Sequence, residues 1–364
     1  MAFFFTSPIG LGHITRDIAI LEKMPELAST VDLTMITGLK AYELVSTYPK
    51  NRLEKINLQF YDLYKPPDFF ISNGVLKNNF VWLLLYLWYY NRSKTLAKNL
   101  LLISSHYEKS QSNLVISDED FASISVTKDT DKPRIFITDI LNTRFIESKM
   151  LSGLESFLNN IMSKLMQSCN CVIVPELGDN KDNIIYVGPI VREILTSRTE
   201  LRRRFSLSRK TILITTGGTN AGKYLSKKVL EVLLVLIRRF DFDLILSFPY
   251  ELHVSGFEDH AFRNIGFVPN IHEYIFAVDL VISLAGKSTI DECSIYGTPG
   301  IFIPIKNHFE QEERALKFGF SYDDINRLEE IIEEYLSSIG ARKKYNVKNG
   351  AMQAAQIISE YLNE

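Results

Sequence analysis

Short continuous apolar runs, each closed by a turn residue, alternate along this chain with longer stretches in which apolar positions return every three or four residues. Continuous apolar runs suit strands buried on both faces, and their alternation with helical stretches suits parallel sheets covered on both sides. In the first half this pattern predicts strands at 2–6, 33–37, 53–60, 114–117, 134–138 and 172–174, with helices starting at His13 and Ser148. The second half repeats the scheme with strands at 211–216, 244–248, 263–268, 280–284 and 300–305. Between the halves, Val187-Gly188-Pro189 and the basic Arg202-Arg203-Arg204 change punctuation and composition together, which marks a linker. The expectation is an α/β chain of two Rossmann-like, doubly wound parallel-sheet domains facing a cleft. Residues 1–188 form the first domain, 189–208 a linker and hinge, 209–345 the second domain, and 346–364 a C-terminal helix whose docking partner the pattern leaves open.

The 364-residue length exceeds what one hydrophobic core usually serves, in line with two domains. Apolar residues at 46% and charged residues at 23% exclude disordered and fibrous classes, and a net charge of −2 gives no general attraction to nucleic acid. Nucleic acid is therefore not an expected partner. Of three cysteines, Cys169 and Cys171 stand two apart in an apolar run, where they neither bridge nor offer a zinc spacing, and the opening Ala2-Phe3-Phe4-Phe5 reads as a strand rather than a leader. A cytoplasmic location is the expectation. Residues 80–90 are apolar all round, yet only half the ~20 residues of a spanning helix. Their tryptophans and tyrosines, flanked by Lys77, Arg92, Lys94 and Lys98, leave two readings: a buried core helix, or a peripheral contact with a membrane or a lipid-like acceptor.

The first strand ends in Ser7-Pro8-Ile9-Gly10-Leu11-Gly12-His13. Glycines at 10 and 12 permit a tight turn and close approach of a substrate, and His13 falls at the N-terminus of the next helix. A neutral imidazole there can take a proton from an acceptor hydroxyl, so His13 is the expected general base. Asp118, just after the strand at 114–117, emerges at the same sheet edge and is the candidate to hold the second ring nitrogen; Asp139 competes for that role, and either could cap a helix. The triplet Asp118-Glu119-Asp120 carries no further ligand spacing, so no metal is assigned.

In the second half, the strand at 211–216 runs into Gly217-Gly218-Thr219-Asn220-Ala221-Gly222, a glycine-rich turn whose amides and following helix suit phosphate oxygens, although its spacing is not that of a P-loop. A second such turn, Ala285-Gly286-Lys287-Ser288-Thr289, follows the strand at 280–284. Glu292, one turn further, can accept from both hydroxyls of a ribose, while Thr289 and Glu292 also stand at capping-box spacing. After Pro304, the loop Asn307-His308-Phe309-Glu310-Gln311 offers polar groups to a sugar.

Taken together these residues resemble the GT-B glycosyltransferases related to the peptidoglycan N-acetylglucosaminyltransferase that forms lipid II, the family 28 type, and the opening Gly-Leu-Gly-His-Ile-Thr-Arg resembles an archaeal-type uncharacterised branch. The densest stretch is 266–319, with Gly266-Phe267-Val268, Asp279-Leu-Val-Ile-Ser, Ala-Gly-Lys-Ser-Thr, Glu292, Gly297-Thr-Pro and Glu310-Gln311 in order. The resemblance implies that Phe267 and the Val268 backbone meet the base, and that Glu292 binds the ribose. By the same resemblance Gly217, Gly218, Thr219 and Asn220 with Lys287, Ser288 and Thr289 cradle the diphosphate, and Glu310 and Gln311 meet the transferred sugar; Gly12 and Gly286 are further expected donor-binding residues. It also implies a UDP-sugar donor as substrate and no cofactor, and it leaves the acceptor undefined; a lipid-like molecule or a glycan is the acceptor expected as partner. Pro8-Ile9, Lys287 and Arg314 depart from the family pattern.

The expected activity is inverting transfer of a sugar from a nucleoside diphosphate to a hydroxyl, with His13 as base. Two alternatives use the same donor pocket: a nucleotide-sugar epimerase, and a nucleotide-binding scaffold without catalysis. The histidine-bearing first loop and the aromatic segment 80–90 favour transfer to a bulky acceptor.

Overall fold

The computed structural model describes residues 1–27, 30–107, 114–145, 152–217, 220–248, 256–257, 262–338, 342 and 347–363. It divides into two compact units: 1–68 with 78–192 and 348–364, and 69–77 with 193–347.

In chain order the first unit begins β1 (Ala2–Thr6), α1 (Gly12–Leu21), β2 (Val31–Thr37), α2 (Leu39–Ser46) and β3 (Ile56–Asp62). The chain then visits the second unit with a small hairpin, β4 (Ile71–Ser72) and β5 (Val75–Leu76). The first unit resumes with α3 (Asn79–Tyr107), β6 (Leu114–Asp118), α4 (Phe121–Thr127), β7 (Arg134–Ile137), α5 (Ser152–Gln167), β8 (Cys171–Val174) and β9 (Ile184–Tyr186). Its seven strands are all parallel, in the order β3-β2-β1-β6-β7-β8-β9. Every residue of β1 is buried, as its unbroken apolar sequence requires. Phe3 and Phe5 pack with Ile36, Val115, Tyr64 and with Tyr89 and Ala97 of α3.

The second unit contains α6 (Arg198–Arg204), β10 (Thr211–Thr215), α7 (Lys223–Leu236), β11 (Asp243–Ser247), β12 (Phe262–Asn264), α8 (Ile271–Ala277), β13 (Leu280–Leu284), α9 (Lys287–Tyr296), β14 (Gly300–Ile303), α10 (Phe309–Lys317) and α11 (Leu328–Ser338). Five parallel strands run in the order β12-β11-β10-β13-β14. The final helix, α12 (Ala351–Asn363), returns to the first unit. There Ala354, Ala355 and Ile358 are buried, α12 packs against α1, and Asn349 exchanges two hydrogen bonds with the Val191 backbone.

Several elements differ from the sequence expectation, each for a local reason. The basic stretch assigned to the linker contains α6, capped by Ser197 and fastened to the second unit because Arg198 and Arg202 both grip Asp279, at 2.6 and 3.0 Å. The strand expected at 263–268 ends at Asn264, since Gly266 turns the backbone to φ +60°. The aromatic segment is the first part of a 29-residue helix, and it satisfies neither reading alone. Trp82, Leu83 and Tyr89 are buried, while Val81, Leu84, Leu85 and Trp88, the last 63% exposed, form an apolar stripe at spacings of three and four. Among the described residues no helix is long and apolar enough to cross a membrane.

Candidate active site

A doubly wound sheet opens where its strand order reverses, because the connections on either side of that point leave on opposite faces. In the first unit the reversal falls between β1 and β6, so the turn after β1 and the end of β6 meet there. Gly10, at φ +77°, turns the chain into α1, whose first residue is Gly12 and whose start carries no side-chain cap. His13 is thereby placed beside Asp118, with Nδ1 donating to Oδ1 at 2.8 Å. A carboxylate only accepts, so this contact places a proton on Nδ1, and Nε2 faces the side of Glu119.

Of the two aspartates weighed as the histidine's partner, Asp118 is the one in contact; Asp139 instead accepts from Nη1 of Arg16 at 2.8 Å. Arg16, one turn after His13, holds Asp118 through Nε at 2.8 Å and Nη2 at 2.5 Å. The three neighbouring carboxylates serve different ends. Asp118 bonds His13 and Arg16, Asp120 caps α4 through the Ala122 and Ser123 amides, and Glu119 reaches back over the sheet edge. Glu119 adopts a left-handed backbone, φ +50°, and its Oε1 accepts from Thr138 Oγ1 at 3.0 Å and the Asp139 amide at 3.2 Å. Its Oε2 then stands 3.6 Å from His13 Nε2.

The electrostatics of this centre favour a charged imidazole. Burial works against a charged imidazole, but the charges of Glu119 and Asp118 and the bond to Asp118 outweigh it and carry the His13 pKa up to about 9. His13 is therefore an imidazolium at neutral pH, not the neutral ring its type suggests. Burial, with the charges of Asp139 and Asp118, pushes Glu119 up to about 8, against the pull of His13 and Arg16. Asp118 is held well below the carboxylate range because Arg16 and His13 outweigh its burial. Asp17, buried and accepting from Thr6 Oγ1 at 2.6 Å, is driven well above that range by burial and by the Asp118 charge.

In the second unit the reversal lies between β10 and β13. Gly217, at φ +83°, has open space where a side chain would stand, and α7 begins after Gly222 without a side-chain cap. Gly218 and Thr219 lie outside the described residues, as does the side chain of Asn220, whose backbone opens a short 3-10 turn. After β13, Gly286 is the N-cap of α9, again without a side-chain cap and with open space around it. Two helix starts with uncapped amides thus follow adjacent strands, an arrangement that favours an anion. Lys287 pairs with Asp291 at 2.9 Å on the first turn of α9, beside half-buried Ser288 and Thr289.

Because Gly286 is the N-cap, Thr289 lies inside the helix, and the capping box weighed for Thr289 and Glu292 does not form. Glu292 is instead buried in the following turn. Phe267 and Val268 are half-buried in the loop that follows β12 and precedes α8. On α10, Glu310 pairs with Arg314 at 3.2 Å, and Gln311 accepts from the Ile305 amide at 3.1 Å, which aligns that helix with the end of β14.

Residues 211–360 match the glycosyltransferase family 28 C-terminal domain, a span that includes both uncapped helix starts and Glu292. The chain is a glycosyltransferase with a family 28 domain. An uncharacterised glycosyltransferase of Methanopyrus kandleri is 24% identical over 271 residues, which are 69% of this chain and 76% of that one. The UDP-N-acetylglucosamine–N-acetylmuramyl-(pentapeptide) pyrophosphoryl-undecaprenol N-acetylglucosamine transferase of Clostridium perfringens is 23% identical over 375 residues, 96% of this chain and 95% of that protein. Among solved structures, the glycosyltransferase of kitacinnamycin superposes with a TM-score of 0.62 at 12% identity, covering 99% of this transferase and 98% of the other chain, and so shares its fold. Sequence reasoning noted Arg16 without giving it a role and set Glu119 aside within an acidic triplet; the signal for both was their placement beside the β1 and β6 ends.

Proposed function

We propose that this transferase moves a sugar from a uridine diphosphate donor to a hydroxyl of a lipid-linked acceptor, with inversion at the anomeric carbon. The family 28 unit takes the donor: the amides opening α7 and α9 receive the diphosphate, Glu292 the ribose, the Phe267-Val268 loop the base, and Glu310 with Gln311 the sugar. The first unit takes the acceptor at the centre built on His13 and oriented by Asp118. As the acceptor oxygen bonds to the anomeric carbon, its proton passes to that centre, and the bond to the diphosphate breaks with its electron pair leaving on phosphate. No cofactor or metal enters this scheme.

The observation that carries the reading is Glu292, buried one turn beyond an uncapped helix start inside the family 28 span. A carboxylate placed there has two oxygens that can accept from a pair of ribose hydroxyls. The acceptor class is supported by the apolar stripe of α3 and by the undecaprenol-linked substrate in the Clostridium perfringens enzyme's name. That stripe suits peripheral contact with the cytoplasmic face of a membrane. Calorimetric titration with UDP, ADP and GDP on wild type and Glu292→Ala tests the donor site. One nucleotide bound by wild type, and weakened at least tenfold by the substitution, supports the reading; no nucleotide bound at all sinks it.

A further inference from the structure

We propose that Glu119 is a second acid/base residue of the acceptor centre, which takes the acceptor's proton as a pair with His13. The inference rests on the transferase reading above and names the atoms of its proton-transfer step.

The geometry is specific to a shared proton. His13 Nε2 and Glu119 Oε2 face each other at 3.6 Å, beyond hydrogen-bond length, so neither satisfies the other directly. A hydroxyl oxygen fits over that gap, within hydrogen-bond reach of both, donating its proton to one and accepting from the other. Everything else about Glu119 holds it there: Oε1 is pinned by Thr138 and the Asp139 amide, the Glu119 amide donates to the Ile137 carbonyl, and the residue keeps a left-handed backbone uncommon for a non-glycine. It also lines a small crevice with Ser7 of the first loop and Tyr86 and Tyr90 of α3.

Charge explains why the histidine needs this partner. The groups around the pair are Arg16 and Asp17 from α1, Asp118 and Asp120 from the β6 end, Asp139 after β7, and Tyr86 and Tyr89 from α3. In this setting the imidazole is protonated at neutral pH and so is not free to act alone as a base. Two groups this close titrate as a unit, giving up protons in steps that belong to the pair. At neutral pH both groups are protonated, and the competent form, which holds one proton, is populated as pH rises through about 8. On reaction the acceptor O–H bond breaks, its electron pair forms the new bond to the anomeric carbon, the donor's C–O bond breaks toward the diphosphate, and the proton remains on the pair, which then holds two.

The test combines a titration with a rate. With carbon-13-labelled histidine, the His13 signal is identified among the six histidines by its loss in His13→Gln, then followed from pH 5 to 10 in wild type, Glu119→Gln and Glu119→Asp. Expected are a wild-type midpoint near 9 and a fall in Glu119→Gln toward the ordinary histidine value of 6.5. UDP release from UDP-N-acetylglucosamine, with water as acceptor, is measured over the same range. The wild-type rate rises through about pH 8, Glu119→Gln loses roughly a hundredfold with nucleotide affinity unchanged, and Glu119→Asp keeps part of the rate. A wild-type His13 titration in Glu119→Gln, or an unchanged rate profile, overturns the inference. If wild type binds no nucleotide, it is the transferase reading that fails, and the histidine titration still decides the pairing.

Discussion

Arg16 holds Asp118 with two nitrogens, Nε on Oδ2 at 2.8 Å and Nη2 on Oδ1 at 2.5 Å, across 102 residues of sequence. The pair is buried, with side-chain exposures of 7% and 0%, so its hydrogen bonds are shielded from water. Breaking a buried pair from one side leaves an uncompensated charge, which costs about 3–5 kcal/mol. Arg16→Met is expected to lose about that much in urea denaturation. Arg16→Lys should fall between, since one ammonium cannot make the two-pronged contact. A methionine variant within roughly 0.5 kcal/mol of wild type would show that the pair contributes nothing to folding.

The same centre sets a pH dependence of stability. His13 has a folded pKa near 9 against 6.5 unfolded, so its contribution is complete below 6.5 and is lost as pH rises through 9. Glu119, near 8 folded against 4.5, binds its proton more tightly in the fold, so its contribution is also lost as pH rises, through about 8. Both act with the same sign between pH 6.5 and 8, and His13 alone carries the fall from 8 to 9. Thermal melts should show the melting temperature falling across that window, with a shallower fall in Glu119→Gln. A flat wild-type profile there contradicts the raised values of both groups.

Two glycines of the donor unit separate space from strain. At Gly286 a methyl group meets nothing and φ is −75°, so Gly286→Ala should fold like wild type while placing that methyl where the diphosphate is expected. At Gly222 an added Cβ collides with the Thr216 side chain and carbonyl, so Gly222→Ala must shift the start of α7. The expectation is weaker UDP binding with an unchanged melting temperature for the first, and a lowered melting temperature for the second. If Gly286→Ala binds UDP as wild type does, the diphosphate does not sit at α9.

The architecture was readable because β1, β6, β10 and β13 are continuous apolar runs ended by turn residues, a signal that needs no partner. His13 and Asp118 were legible for the same reason, each following such a run. What the sequence hid is pairing at a distance. That Arg16 joins Asp118 to Asp139, or that Glu119 faces His13, follows from β1 lying beside β6 and β6 beside β7, which no local pattern encodes. The hairpin at 69–77 was missed because two-residue strands carry no periodicity, and α6 because its buried contact is one leucine, Leu201, among charged residues. For α3 the pattern was apolar all round, so only packing could decide which face is covered.

The uncovered face of α3 gives the last prediction. Val81, Leu84, Leu85 and Trp88 are exposed along one stripe, and the Arg92 guanidinium lies 5.7 Å from the Trp88 ring centroid. Burying a large apolar side chain is worth about 1.5–3 kcal/mol, whereas a basic residue near an anionic surface adds about 1 kcal/mol. Apolar insertion should therefore outweigh charge. Wild type is expected to sediment with vesicles containing anionic phospholipid, with a modest loss at high salt. Leu84→Glu with Trp88→Glu should abolish sedimentation without lowering the melting temperature, since both side chains already face solvent. Arg92→Gln should weaken it only severalfold. Sedimentation that survives the double substitution would assign any membrane contact to another surface. Wild type that never sediments but self-associates, and loses self-association in the double variant, would make the stripe an interface between copies of the chain.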